Sequence, residues 1–225
     1  MKAKWKTGMI AGAVLLLAFI LWTLLIQFAD VQPVGVNGTK VGLATVNQWF
    51  HQLTGVHMWI YNATDWLGLV PILVCACFGV LGLVQLIRRK SLLKVDADIL
   101  LLGVYYIAVI LGYLLFEMVK INYRPILIDG AMEGSYPSST TLLVLSVMPT
   151  LIFQLNRRVS NDALRRTGVA VTAVFTAFMV IGRLVAGVHW LTDIVGGVLL
   201  SVGLYLLYRS AVGMMDEKKA QHPEN

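Results

Sequence analysis

Residues 183–193 read RLVAGVHWLTD, from Arg183 to Asp193, and lie at the join of two apolar runs, 166–187 and 190–209. Each run approaches the about 20 apolar residues that a helix needs to cross a bilayer's hydrocarbon core. The reading is therefore two spanning helices joined by a tight turn. Ionisable side chains at such a join are costly against lipid and usually face a site. Arg183, His189 and Asp193 are spaced to give an arginine six residues before a histidine and a carboxylate four residues after it. Those residue types suit attack on phosphorus. The imidazole is the nucleophile, the aspartate fixes its tautomer, and the guanidinium holds phosphoryl oxygens.

Working outward, four more apolar runs of span length appear near 8–28, 67–87, 98–118 and 138–156. The expected fold is all-α: a polytopic membrane protein of six transmembrane helices, one membrane domain over 1–225. The composition agrees. Of the 225 residues 58% are hydrophobic and only 13% charged, with mean hydropathy +0.76, against about 25% charged in a soluble domain. The N-terminal run is too long for the core of a secretory signal and is read as an uncleaved first helix. Cys75 and Cys77 lie two residues apart in one run and point to different helix faces, which argues against a disulfide or a metal pair.

The net charge of +6 does not imply a nucleic-acid partner, because the basic residues cluster between apolar runs as orientation signals. With the N-terminus cytoplasmic, fourteen of the eighteen lysines and arginines fall on the cytoplasmic side, Lys2, Lys4, Lys6, Arg88, Arg89 and Arg157 among them. Lys40, Lys120, Arg124 and Arg183 fall outside. The expectation is a multi-pass protein of the cell membrane with both termini cytoplasmic.

This topology brings three segments together on the outer side: EMVKINYRP (Glu117–Pro125), YPSSTT (Tyr136–Thr141) and RLVAGVHWLTD. Arg124 and Arg183 are paired-donor phosphate binders, Lys120 a point charge, Ser138 a hydroxyl donor, and the start of the fourth helix an anion-binding terminus. Ser139, Thr140 and Glu117 are further candidates. The segment 41–64, with Trp49 and Trp59, reads as one or two short interfacial helices between helices 1 and 2 that anchor the fold or guide a lipid.

The pattern resembles the type 2 phosphatidic acid phosphatase family, membrane relatives of the vanadium haloperoxidases, over about 98–210. That family's signatures are a lysine followed after six residues by Arg-Pro, then Pro-Ser-Gly-His, then Ser-Arg with a histidine and an aspartate downstream. Arg124-Pro125 matches the first, Pro137-Ser138-Ser139-Thr140 the second with two departures, and Gly182, Arg183, His189 and Asp193 the third with glycine for serine. The resemblance implies a six-helix plan and a phosphohistidine at His189 oriented by Asp193. It also implies phosphoryl oxygens held by Arg124, Arg183 and Ser138, and no metal or other cofactor. The partners it implies are a phosphorylated lipid and the bilayer, with no nucleic acid.

Two of the departures bear on the chemistry. Glu117 stands where the family has its lysine, and Lys120 is three residues on, close to the same helix face. Thr140 stands where the family has the histidine that protonates the leaving oxygen, and threonine is no general acid near neutral pH. A lipid phosphate leaving from a diphosphate needs no such proton, since its second pKa is about 6, whereas an alkoxide does. The expected activity is therefore outer-leaflet hydrolysis of a lipid diphosphate such as a polyprenyl diphosphate. Glu117, Asp129 and Glu133 are candidate replacement acids. The alternatives are a weak or inactive relative that binds phosphorylated lipids, and a lipid phosphotransferase. Helices 1, 2, 4 and 6 carry almost no charge through their centres, which argues against a transporter.

Overall fold

The computed structural model describes residues 4–221; Lys2 of the N-terminal basic cluster lies outside the described residues. Eight α-helices follow one another: α1 (Lys4–Phe28), α2 (Ala44–Thr54), α3 (Met58–Leu67), α4 (Leu69–Arg89), α5 (Ala97–Met118), α6 (Ser139–Arg158), α7 (Asp162–Val185) and α8 (Leu191–Gln221). Among the described residues six helical segments are long and apolar enough to cross a membrane, and α3 with α4 forms one of them. The chain has an all-α, multi-pass fold, as its hydropathy predicts.

Some boundaries have a local cause. Asn161 caps α7 by accepting the Leu164 N–H at 3.0 Å. Gly68 separates α3 from α4, and Pro71 sits in the first turn of α4, where its missing N–H costs nothing. Helix α8 does not stop near 209 but runs on to Gln221. Hydropathy marks where a helix leaves the apolar layer, not where it unwinds. The extension is held by an Arg157–Asp216 ion pair at 2.7 Å and by a hydrogen bond from the Trp5 indole to Glu217.

Helices α6 and α8 form the centre, with the other spans around them. Small residues allow the close contacts. A side chain at Gly12 of α1 would lie 2.9 Å from the Gly203 carbonyl of α8, so the two backbones approach as at small-residue helix crossings in membranes. The core is aromatic: Tyr136 stacks on Phe19 with centroids 6.1 Å apart and shares a 2.6 Å hydrogen bond with Thr23. Leu73, Val104 and Val174 point outward from the bundle, as lipid-facing residues do.

The two ends of the bundle differ in chemistry. Among the described residues, one end gathers the start of α1, the end of α8 and most basic residues around an ion network. Asp96 accepts from Arg89 at 2.7 Å and Arg158 at 2.9 Å, while Asp98 pairs with Arg157 at 3.3 Å and Arg158 at 2.9 Å. Burial opposes the charge of Asp96, yet the bonds from Arg89, Arg158 and Gln85 outweigh it and hold its carboxyl at about 2. The opposite end carries α2, α3, the loop 119–138 and the α7–α8 turn.

Candidate active site

The loop 119–138 folds back on itself as a hairpin. Ser135 N–H donates to the Asn122 carbonyl at 2.9 Å, Arg124 N–H to the Glu133 carbonyl at 3.0 Å, and Ile128 and Ala131 exchange bonds at 3.1 and 2.8 Å. The tip is Asp129-Gly130, with φ of 49° and 77°. Two successive residues at positive φ are the signature of a type I′ turn, for which Asp-Gly is a preferred pair. This turn accounts for Asp129, which does not line the cavity and is no candidate acid.

The hairpin clamps the α7–α8 turn. Its Asn122 side chain donates to Asp193 Oδ1 at 3.2 Å, and the Trp190 indole donates to the Tyr123 carbonyl at 2.8 Å. His189 is buried, with Nδ1 3.1 Å from the Ser135 carbonyl oxygen and Nε2 3.3 Å from Arg124 Nη1. A carbonyl only accepts, so Nδ1 carries the hydrogen. A guanidinium only donates, so Nε2 carries a lone pair. Burial, aided by the charges of Arg124 and Arg183, lowers the pKa of His189 to about 4 against the opposing pull of Asp193. The ring is a neutral base with its nucleophilic nitrogen against an arginine.

Asp193 corrects an expectation. Its Oδ2 lies 3.8 Å from His189 Nδ1, beyond hydrogen-bond range, and instead accepts the Trp190 backbone N–H at 2.9 Å. The carboxylate holds the turn that carries His189 and acts on the ring through its charge, while the Ser135 carbonyl fixes the tautomer. Ser135 and Asn122 were invisible as site residues in the sequence, because a main-chain carbonyl and a neutral amide leave no chemical signature there.

His189, Arg124, Lys120, Glu117 and Ser139 line one cavity of about 390 Å³, with Glu133, Asp65 and Tyr61. Ser138 does not reach it. It is wholly buried, its N–H bonds the Asp193 carbonyl at 3.1 Å, and its hydroxyl accepts from Thr141 at 3.1 Å. Thr140 also lies elsewhere, lining an apolar groove between α4, α5 and α6. Arg183 does not line the cavity either; it is buried behind Asp65 and Tyr61 of the wall. It donates to Asp65 at 3.2 Å and Thr64 at 3.3 Å, while its Nε finds no partner. Both guanidiniums lie over the Tyr61 ring, Arg183 at 4.8 Å and Arg124 at 5.8 Å from its centroid. Helix α3 is thus a wall of the site rather than only an anchor. Its amphipathic spacing suggested a surface helix, and nothing local to it revealed that Asp65 would meet Arg183. Among the described residues no cluster of His, Cys, Asp and Glu is placed to hold a metal ion.

Residues 118–215 match the PAP2 superfamily. The match spans the hairpin, α6, α7 and most of α8, and so Arg124, Ser135 and Asp193 beside His189. The crystal structure described as the first transmembrane PAP2-type phosphatidylglycerolphosphate phosphatase, from Bacillus subtilis, aligns with a TM-score of 0.60. The alignment covers 92% of this chain and 96% of that one at 18% identity. At that identity the likeness is one of fold. No curated protein matches the chain in sequence.

Proposed function

We propose that the chain is a membrane lipid phosphatase of the PAP2 type, working from the outer leaflet through a phosphohistidine. The observation that carries this reading is the state of His189, a buried neutral imidazole whose free nitrogen lies 3.3 Å from Arg124. The PAP2 match and the shared fold favour the same reaction class.

In this mechanism Arg124 and Lys120 hold the phosphoryl oxygens, with Ser139 as the hydroxyl donor in place of the buried Ser138, and Arg183 adds its positive charge from behind Tyr61 and Asp65 of the cavity wall. The Nε2 lone pair attacks phosphorus, and the imidazolium that forms is stabilised by Asp193. The groove beside the cavity, lined by Leu69, Ile72, Val109, Ile110 and Leu143, suits an apolar tail. Since Thr140 stands away from the cavity, nothing at that position protonates the leaving oxygen. The substrate is therefore a lipid diphosphate, whose leaving lipid phosphate departs unprotonated. The excess of basic residues at the opposite end supports cytoplasmic termini and an outward-facing site.

The test is phosphate release by the purified full-length protein from matched lipid monophosphates and diphosphates. The expected result is turnover of the diphosphate faster by about 10²-fold or more, the usual size of general acid catalysis, and its loss in His189→Ala. Equal turnover of both substrates would refute the bias, and activity that survives His189→Ala would refute the nucleophile. One observation favours a second reading, a lipid-phosphate binder without turnover: Arg124 and Arg183 are each already paired with a carboxylate. Tight binding of a lipid diphosphate with no phosphate release would establish it.

A further inference from the structure

The PAP2-type reading leaves one step without a catalyst. Hydrolysis of a phosphohistidine needs a base to take a proton from the attacking water, and among the described residues His189 is the one imidazole lining the cavity. Of the three carboxylates that the described residues place there, Asp65 is paired at 3.2 Å with Arg183, a guanidinium that does not line the cavity. Glu117 lies on the last turn of α5, beside Tyr113. Glu133 is different. Its carboxylate accepts from Arg124 Nε at 3.0 Å, and the same guanidinium reaches His189 Nε2 through Nη1 at 3.3 Å.

This placement is built in by backbone register. Arg124 and Glu133 face each other across the hairpin, joined by the Arg124 N–H to Glu133 carbonyl bond at 3.0 Å. The Glu133 side chain is nevertheless 44% exposed, so water reaches it, while that of Arg124 is 8% exposed. A phosphoryl group on Nε2 takes over the Nη1 contact and leaves Glu133 at the other edge of the guanidinium. Water attacking in line arrives from the side of phosphorus opposite Nε2. An ionised carboxylate accepts and does not donate, which is the form a base needs.

Resting on the reading above, we propose that Glu133 is a second catalytic residue, the base that activates water to hydrolyse the phosphorylated His189. In the first step the Nε2–P bond forms and the bond from phosphorus to the bridging oxygen breaks; the lipid phosphate leaves as an anion with the bonding pair. In the second the water oxygen bonds to phosphorus and the P–Nε2 bond breaks, returning the lone pair to Nε2. The water proton passes to Glu133 and then to solvent. No general acid is required at any point, which suits a site that has threonine at position 140.

The experiment uses full-length protein with farnesyl diphosphate radiolabelled in its terminal phosphoryl group, comparing wild type with Glu133→Gln. Glutamine keeps an oxygen for Arg124 but accepts a proton poorly. The expected result is phosphate release reduced by about 10²-fold or more, with acid-labile label accumulating on the protein in a rapid burst. A structural role for Glu133 would slow turnover without that accumulation. Glu133→Ala, a second variant, should regain turnover when formate is added. Wild-type release by Glu133→Gln, or lost release with no trapped label, overturns the proposal while leaving the phosphatase reading intact. If wild type itself neither takes up label nor releases phosphate, the phosphatase reading fails and the role of Glu133 falls with it.

Discussion

His189 illustrates how neighbours, more than residue type, set chemistry. Alone, a histidine titrates near 6.5. Here burial and two nearby guanidiniums depress the pKa to about 4, against the opposing pull of Asp193. A lowered histidine pKa means that the proton binds only at lower pH, so the neutral imidazole persists down to about pH 4 and is lost below it. Nitrogen NMR of labelled histidine in the unliganded protein reads this ring without interference from a substrate's own titration. The expected spectrum is a neutral His189 with its proton on Nδ1 from pH 7 to near pH 4. Titration close to 6.5, or a proton on Nε2, would contradict the assignment. The sequence made the grouping of His189, Asp193, Arg124 and Lys120 at one end of the bundle legible, because ionisable side chains at the ends of spans stand out against apolar runs. It did not separate Ser138 from Ser139, since which hydroxyl faces the cavity depends on how α6 is turned against α8. Nor did it distinguish an aspartate that bonds the imidazole from one that holds the turn beside it.

Two short elements do most of the positioning. The hairpin 122–135 supplies Arg124, Glu133, the Asn122 amide and the Ser135 carbonyl. Its signal was present as Asp129-Gly130, but apolar spacing dominates the surrounding sequence and masks a turn so short. The α7–α8 turn depends on Gly187, which has φ of +72°; a Cβ there would lie 1.9 Å from the Gly55 carbonyl oxygen. Left-handed backbone costs a residue such as alanine roughly 1–2 kcal/mol, and the clash adds to that. Gly187→Ala is expected to displace the turn from the α2–α3 loop, lowering the melting temperature in detergent and reducing kcat through His189. A variant with unchanged melting and turnover would show that this contact does not set the geometry of the site.

At the scale of the whole molecule, the six spans were legible because burial in lipid imposes a length and a composition on every crossing helix. Which helices lie at the centre was less so. Helices α6 and α8 read as ordinary or weak spans by hydropathy, because central helices trade bulky apolar residues for small and polar ones. Gly12 against Gly203 and the buried Thr141, Ser146 and Ser201 show that exchange. The ion network about Asp96 and Asp98 was not foreseen, since its partners come from α4, α6 and α8 and no local spacing links them. The result is a bundle tied by charge at one end and open as a polar cavity at the other, with an apolar groove alongside.

The central claim is that His189 and Arg124 act together on a phosphoryl group. Vanadate adopts the five-coordinate geometry of phosphorus under attack, so the structure of the protein with vanadate bound tests that claim most directly. The account predicts vanadium bonded to His189 Nε2, its oxygens on Arg124, and Arg124 no longer touching that nitrogen. Vanadate seated away from His189, or bound through Nδ1 after the ring has left Ser135, would contradict it.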